Sequence, residues 1–139
     1  MKTIVFLTGA GISAESGIPT FRDSNGLWNN YKVEDVASIE GFRRNPQLVL
    51  DFYNQRRRDL LKVKLNDAHY AKMKLQEKYR VIVITQNVDD LHERAGTDMV
   101  LHLHGELGKV CSSADRDTCI TEQPLDIPIR IGDKAQDGS

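Results

Sequence analysis

The sequence predicts an α/β fold, a doubly wound parallel sheet with helices on both faces, of which these 139 residues carry about the first half. Three observations predict it. Thr3-Ile4-Val5-Phe6-Leu7 and Val81-Ile82-Val83-Ile84 are short, continuous apolar runs, the pattern of strands buried on both faces. The first run leads straight into Gly9-Ala10-Gly11-Ile12-Ser13-Ala14, a glycine turn that opens a helix. Helical patterns lie between the two strands, as a parallel pair requires of its connection.

Each element follows in order. After the first strand, the glycine turn presents backbone N–H groups at a helix start, a favourable place for phosphate. Gly9 is read as permitting the tight turn, Gly11 as admitting a pyrophosphate, and Ala14 as the small residue of the dinucleotide fingerprint. An acidic ribose ligand is expected about 20 residues further on; Asp23 falls early, Glu34 and Asp35 a little late. Residues 25–45 read as a long loop with one short helix. Asn45-Pro46 marks a helix start, with Asn as cap and Pro in the first turn, running to about Leu61. A second helix is expected from about Asp67 to Glu77, with Ala68, Ala71 and Leu75 on one side. Met99–His104 reads as a third strand. Beyond Cys111 the apolar periodicity fades, leaving Ile127–Ile131 as the remaining strand candidate.

A net charge of −1 carries no basic footprint for nucleic acid. No apolar run reaches the length of a membrane span. Met1-Lys2 passes directly into a core strand, which leaves no room for a signal peptide. Two cysteines do not make a disulfide framework. A cytoplasmic protein with reduced thiols is therefore expected.

Two further segments carry chemistry. Thr85-Gln86-Asn87-Val88-Asp89-Asp90-Leu91-His92 follows the strand Val81–Ile84, and open α/β sheets bind ligands at the carboxyl ends of their strands. The amides and carboxylate of Gln86, Asn87 and Asp89 suit ribose hydroxyls. Asn87 and Asp89 are equally suited to capping the next helix, and the two roles are compatible. In Leu101-His102-Leu103-His104-Gly105-Glu106-Leu107, alternation puts His102 and His104 on one face of an extended segment. A metal-ligand pair, a general base and a hydrogen-bonded structural histidine all stay open on these residues alone.

Taken together, Gly9-Ala10-Gly11-Ile12-Ser13, Pro19-Thr20-Phe21-Arg22, Thr85-Gln86-Asn87-Val88-Asp89 and Leu103-His104-Gly105-Glu106-Leu107 resemble the sirtuin family, the NAD-dependent protein deacylases. The motifs occur in the family's order over about residues 3 to 109. The resemblance implies a Rossmann-like domain that uses NAD as co-substrate and acts on acyl-lysine proteins. It implies that Gly9, Ala10, Gly11, Ser13, Ala14 and Glu15 hold the pyrophosphate region. Pro19, Thr20, Phe21 and Arg22 would cover the nicotinamide end, with Phe21 shielding the reactive ribose carbon from water. Gln86, Asn87 and Asp89 would order the nicotinamide ribose and amide. His104 is implied as the general base, with Asn87 and Asp89 also counted as catalytic. In the implied reaction the acyl carbonyl oxygen attacks the ribose carbon and nicotinamide leaves. A ribose hydroxyl, deprotonated by His104, then attacks the resulting imidate, giving free lysine and O-acyl-ADP-ribose.

The helix from Pro46 points to the acyl group. At 100° per residue from Val49, Leu60 falls at about 20°, Tyr53 at about 40°, Phe52 at about 300° and Arg56 at about 340°. Arg56 thus lies in the apolar stripe, where a charge is costly without a partner, and Arg57 and Arg58 turn away. A hydroxyl and a guanidinium three residues apart can bind a carboxylate. Tyr53-Asn54-Gln55-Arg56 is similar to the Tyr-x-x-Arg signature of the sirtuins that remove malonyl and succinyl groups, and Ala14 fits the same class. Deacetylation can persist beside that activity. A snorkelling or internally paired Arg56 is the alternative.

Cys111 and Cys119, separated by seven residues, do not complete the structural zinc site of many sirtuins, so no metal is expected. Residues 25–65 are read as a helical insertion and 108–139 as the start of a small domain, within one sirtuin-type catalytic domain. Two other functions remain: a non-catalytic NAD or ADP-ribose binding module, and a mono-ADP-ribosyltransferase.

Overall fold

In a computed structural model, which describes residues 1–20 and 27–139, the element order is β1 (Thr3–Thr8), α1 (Gly11–Ala14), β2 (Leu27–Trp28), β3 (Tyr31–Lys32), α2 (Val33–Val36), α3 (Ile39–Arg44), α4 (Pro46–Leu60), α5 (Asp67–Leu75), β4 (Arg80–Thr85), α6 (Leu91–Arg94), β5 (Val100–His102), β6 (Lys109–Cys111) and β7 (Ile120–Glu122). The chain forms two compact units. One comprises residues 1–20 and 63–106, the other 21–62 and 107–139. Among the described residues no helix is long and apolar enough to cross a membrane.

The first unit is the parallel sheet that the apolar runs predict, in the order β1-β4-β5. Thr3 pairs with Arg80 and Thr8 with Thr85, while Val83 pairs with Val100 and Thr85 with His102. Paired residues of a parallel ladder share a face. On one face Val81, Val83 and Thr85 are buried, with Ile4 and Phe6 beside them; α5 packs on β4 there, and His92 of α6 bonds Thr8 on the same face. On the other face Val5, Leu7 and Leu101 are exposed, Leu7 by 69%. The helix coverage described in this unit therefore lies on one face.

Helix α5 starts where its signals place it. Asn66 caps it, and the His69 ring accepts from the Asn66 backbone N–H, closing a capping box. Its inward side differs from expectation. His69 and Lys72 are buried, whereas Ala68 and Ala71 face solvent. The Lys72 ammonium donates to the Ala68 carbonyl and lies 5.5 Å from the centre of the Phe6 ring, so its stem packs while its head stays bonded.

The second unit departs most from the sequence reading. Residues 27–44, expected as loop with one short helix, form the β2–β3 hairpin and two helices. Asn29 and Asn30 both have positive φ (47° and 67°), the backbone a two-residue hairpin turn needs and one that Asn tolerates. Ser38 caps α3, and Gly41 there faces the Glu34 and Asp35 carbonyls so closely that any Cβ would collide with them. Asn45 caps α4 with Pro46 in the first turn, as predicted. Phe52 is buried, with edge contacts to Trp28, Tyr31 and Tyr53 at centroid distances of 5.1–5.4 Å.

Two corrections concern the polar residues of α4. Arg57, expected to turn away, is only 1% exposed. Its guanidinium donates to the carbonyls of Leu107, Gln123, Pro124 and Ile127. Those carbonyls come from residues distant in sequence, so no helical-wheel argument could place them. The expected strand at Ile127–Ile131 does not form, because its backbone bonds go to side chains: Ile129 exchanges two hydrogen bonds with the Asn54 amide, and Ile127 is held by Arg57. The antiparallel pair in this region is instead β6–β7. Its register sets Cys111 opposite Ile120, with Ser112 N–H bonded to the Cys119 carbonyl, so the two free thiols fall on alternate positions of the ribbon.

Candidate active site

The site in the first unit is built at the carboxyl ends of β1, β4 and β5. After β1 the chain turns tightly, with Ile12 N–H bonded to the Gly9 carbonyl and Ser13 N–H to the Ala10 carbonyl. This aims Ser13 inward, where it is buried. Its hydroxyl donates to Asp89 Oδ2 at 2.8 Å and accepts from Asn87 Nδ2 at 3.2 Å. Asn87 Nδ2 also donates to the Gly9 carbonyl at 3.1 Å. Three predicted residues thus join the glycine turn to the loop after β4. Asp89 serves two purposes, since its Oδ1 accepts from Leu91 N–H at the start of α6. Asn87 does no capping; its backbone N–H is held by Thr85 Oγ1.

The remaining predicted contacts divide cleanly by exposure. Ala10, Gly11, Ala14, Glu15, Pro19, Gln86 and His104 face solvent, while Thr20 is buried. Phe21 and Arg22 lie outside the described residues. Neither Gly9 nor Gly11 has a left-handed φ, so the turn itself does not require glycine at Gly9, contrary to the sequence reading. Instead, a Cβ at Gly9 or Gly11 would meet nothing within 4 Å among the described residues. Among the described residues nothing crowds this bare backbone, which fits the close approach of a pyrophosphate.

Four further residues support this site: Asn66, His69 and His92, which the motifs leave without a role, and His102, which they leave open. Asn66, at the start of α5, donates to the Ile12 carbonyl and to Ser16 Oγ, bracing the glycine turn. His92, fully buried on α6, bonds Thr8 Oγ1 at the end of β1 and meets the His69 ring edge-on at 5.3 Å. Burial, with the His69 and Lys72 charges, pushes His92 down to about 4, so the imidazole is neutral. Burial also lowers His69. His102 and His104, expected on one face, differ in environment: His104 is exposed, whereas the His102 side chain is 5% exposed and bonds the Asn87 carbonyl and Glu93. The motif holds one acid, Glu106, 3.8 Å from the His102 ring, while the nearer partner, Glu93, lies in a separate segment.

Tyr53 and Arg56 lie in the second unit, one turn apart on α4. The Arg56 guanidinium stacks 3.9 Å from the centre of the Trp28 ring and 5.7 Å from that of Tyr53. Burial raises Tyr53, partly offset by Arg56, so its hydroxyl remains a donor.

A model of the Sir2 family matches residues 9–130, a span that holds the glycine turn, the Asn87 loop and His104. The chain belongs to the Sir2 family. A NAD-dependent protein deacylase of Bacteroides thetaiotaomicron is 56% identical over all of this chain and 61% of its own length. One of Helicobacter pylori is 55% identical over 99% of this chain and 57% of its own length. A solved Sir2 homologue in complex with NAD superposes with a TM-score of 0.82 at 42% identity, covering 99% of this chain and 54% of its own. This Sir2 chain thus spans 54–61% of the length of these relatives. The sirtuin resemblance and the Rossmann-like parallel sheet read from the sequence both hold.

Proposed function

We propose that this Sir2 chain carries the chemistry-bearing half of an NAD-dependent protein-lysine deacylase that removes succinyl and malonyl groups, with deacetylation alongside, in the cytoplasm. The observation that carries the reading is the cluster Gly9–Ser13–Asn87–Asp89. Its hydrogen bonds tie a bare-backbone glycine turn to an amide- and carboxylate-bearing loop at strand ends. A dinucleotide lying along these ends would set its pyrophosphate on Gly9–Ser13 and its nicotinamide ribose by Gln86, Asn87 and Asp89. His104, exposed at the end of β5, is the group to take a ribose hydroxyl proton. The acyl carbonyl oxygen displaces nicotinamide from the ribose carbon. The activated hydroxyl then attacks the imidate carbon, and water releases lysine and O-acyl-ADP-ribose. A structural relative at 42% identity and TM-score 0.79 is a complex with 2′-O-acetyl ADP-ribose, which supports that product class. Tyr53 and Arg56 would read the distal carboxylate of a succinyl or malonyl group, the phenol donating and the guanidinium supplying charge.

The test is mass spectrometry of succinyl-lysine and acetyl-lysine peptides incubated with the chain, with and without NAD. NAD-dependent loss of succinyl with O-succinyl-ADP-ribose formed is the expected result. Binding of ADP-ribose without turnover of either peptide would mark a binding module. Mass added to a protein nucleophile would mark a mono-ADP-ribosyltransferase.

A further inference from the structure

We propose that His102 is a positioning residue of the site: a charged clamp between Glu93 and the backbone of Asn87 that holds the Asn87 amide against the glycine turn. The proposal rests on the deacylase reading for its consequence and on geometry for its substance. His102 ends β5, paired with Thr85, so its ring lies beside the loop that carries Asn87. Its Nδ1 is 2.8 Å from the Asn87 carbonyl. A carbonyl only accepts, so Nδ1 bears a hydrogen. Its Nε2 is 2.6 Å from Glu93 Oε1, a charge-assisted distance, and Glu106 Oε1 stands 3.8 Å away. Burial, the largest influence on Glu93, favours its protonated form, but the hydrogen bond from His102, a backbone hydrogen bond and the charge of His102 together outweigh it and hold the carboxyl below its usual range. Nε2 therefore bears a hydrogen too, and the ring is an imidazolium.

The groups facing this ring agree. Burial pulls His102 down, but the bonds to Glu93 and Asn87 and the charges of Glu93 and Glu106 raise it above the ordinary histidine value. His92, the neighbouring histidine on α6, is neutral and does not oppose it. Glu93, His102 and Glu106 also place three potential ligand atoms within 4.8 Å of one another. A metal would hold a nitrogen and an oxygen ligand roughly 3.4 Å apart at tetrahedral geometry. At 2.6 Å the Nε2–Oε1 gap is filled by a proton.

The clamp has a definite failure mode. A neutral ring has one N–H for two acceptors, and the ionised Glu93 is the stronger one. As pH rises through the His102 midpoint the hydrogen stays with Glu93, and the Asn87 carbonyl loses its donor. The amide that bonds Gly9 and Ser13 then hangs on a looser backbone.

The experiment is NMR on the full chain, following the His102 ring nitrogens and the Asn87 amides from pH 5 to pH 9.5, with ADP-ribose affinity measured by calorimetry across the same range. Both ring nitrogens should carry hydrogen at pH 7, and Asn87 should shift with the His102 midpoint. Glu93→Gln should lower that midpoint. His102→Gln reproduces the Nε2 donor and abandons Asn87, so affinity should fall about tenfold. His102→Asn reproduces the Nδ1 donor and should recover most of that loss, without pH dependence. Equal affinity and equal Asn87 shifts in the two variants would overturn the proposal, as would an Asn87 signal indifferent to His102 ionisation. No ADP-ribose binding at any pH would break the deacylase reading, while the Asn87 titration would still decide the clamp.

Discussion

The two units of this chain solve the same problem, holding loops in place, by different means. In the first, loops grow from the ends of a parallel sheet, and short side chains such as Ser13, Asn87 and Asp89 tie them together. In the second, strands are two or three residues long, and long polar side chains from one helix replace a ladder: Asn54 stands in as a strand partner for Ile129, and Arg57 gathers four carbonyls. The first arrangement spreads its stability over many backbone bonds. The second concentrates it in a few side chains.

The comparison breaks most directly at the chemistry. Replacing His104 with Ala should lower deacylation by about 10²–10⁴-fold, the usual contribution of a general base, with NAD affinity nearly unchanged. His104 is exposed and braces no loop, so equal loss of both in paired turnover and calorimetry experiments would contradict its assignment. Next in size is Arg57→Met. It removes a buried cation, itself lowered by desolvation, from four carbonyls, and should cost about 3 kcal/mol or more in urea unfolding. Hydrogen exchange sharpens the contrast: residues 107–129 should lose protection well before Val81–Thr85. Uniform loss across both units would show that they share one cooperative stability.

Arg56→Met should depress removal of succinyl about tenfold more than removal of acetyl, the scale of one charge-assisted bond. A proportional fall in both kcat/KM values would remove Arg56 from acyl recognition. The smallest effect is acid sensitivity in the first unit. His92, and His69 in the same direction, are held neutral when folded and take up protons when unfolded. The stability they contribute is present above the ordinary value of 6.5 and is lost as pH falls toward about 4 for His92. His102 has the opposite sign: its contribution is present below 6.5 and is lost as pH rises through its raised midpoint. Urea midpoints should therefore peak between these windows, and a curve that climbs steadily on acidification would refute the assignment of neutral buried histidines.

The same contrast explains what could be read beforehand. The β1 and β4 strands, the Asn45-Pro46 helix start and the Asp67 helix are legible because their signals are local: continuous apolar runs, a cap, a period. The glycine turn and the Asn87 loop are legible because strand ends are where such sheets bind ligands. Arg57 was not, because its burial depends on carbonyls at least 50 residues away in sequence. The β2–β3 turn was missed because Asn-Asn is a weaker hairpin signal than Asn-Gly. His92 carries no role in the sequence, and His102 stays open between ligand, base and structural histidine, because their partners, Thr8 and the Asn87 backbone, come together only when strands pair.

The steps from β1 to β4 and from β4 to β5 run in the same direction, and crossovers between parallel strands are right-handed in nearly every known case. Two steps of one hand in one direction put α5 and α6 on the same side. A strand joined beyond the outer edge of β1 by a crossover of that hand steps the opposite way, so its helix must arrive over Val5, Leu7 and Leu101. The chirality of L-amino acids thus already fixes the side from which the exposed apolar face of this half-sheet can be covered.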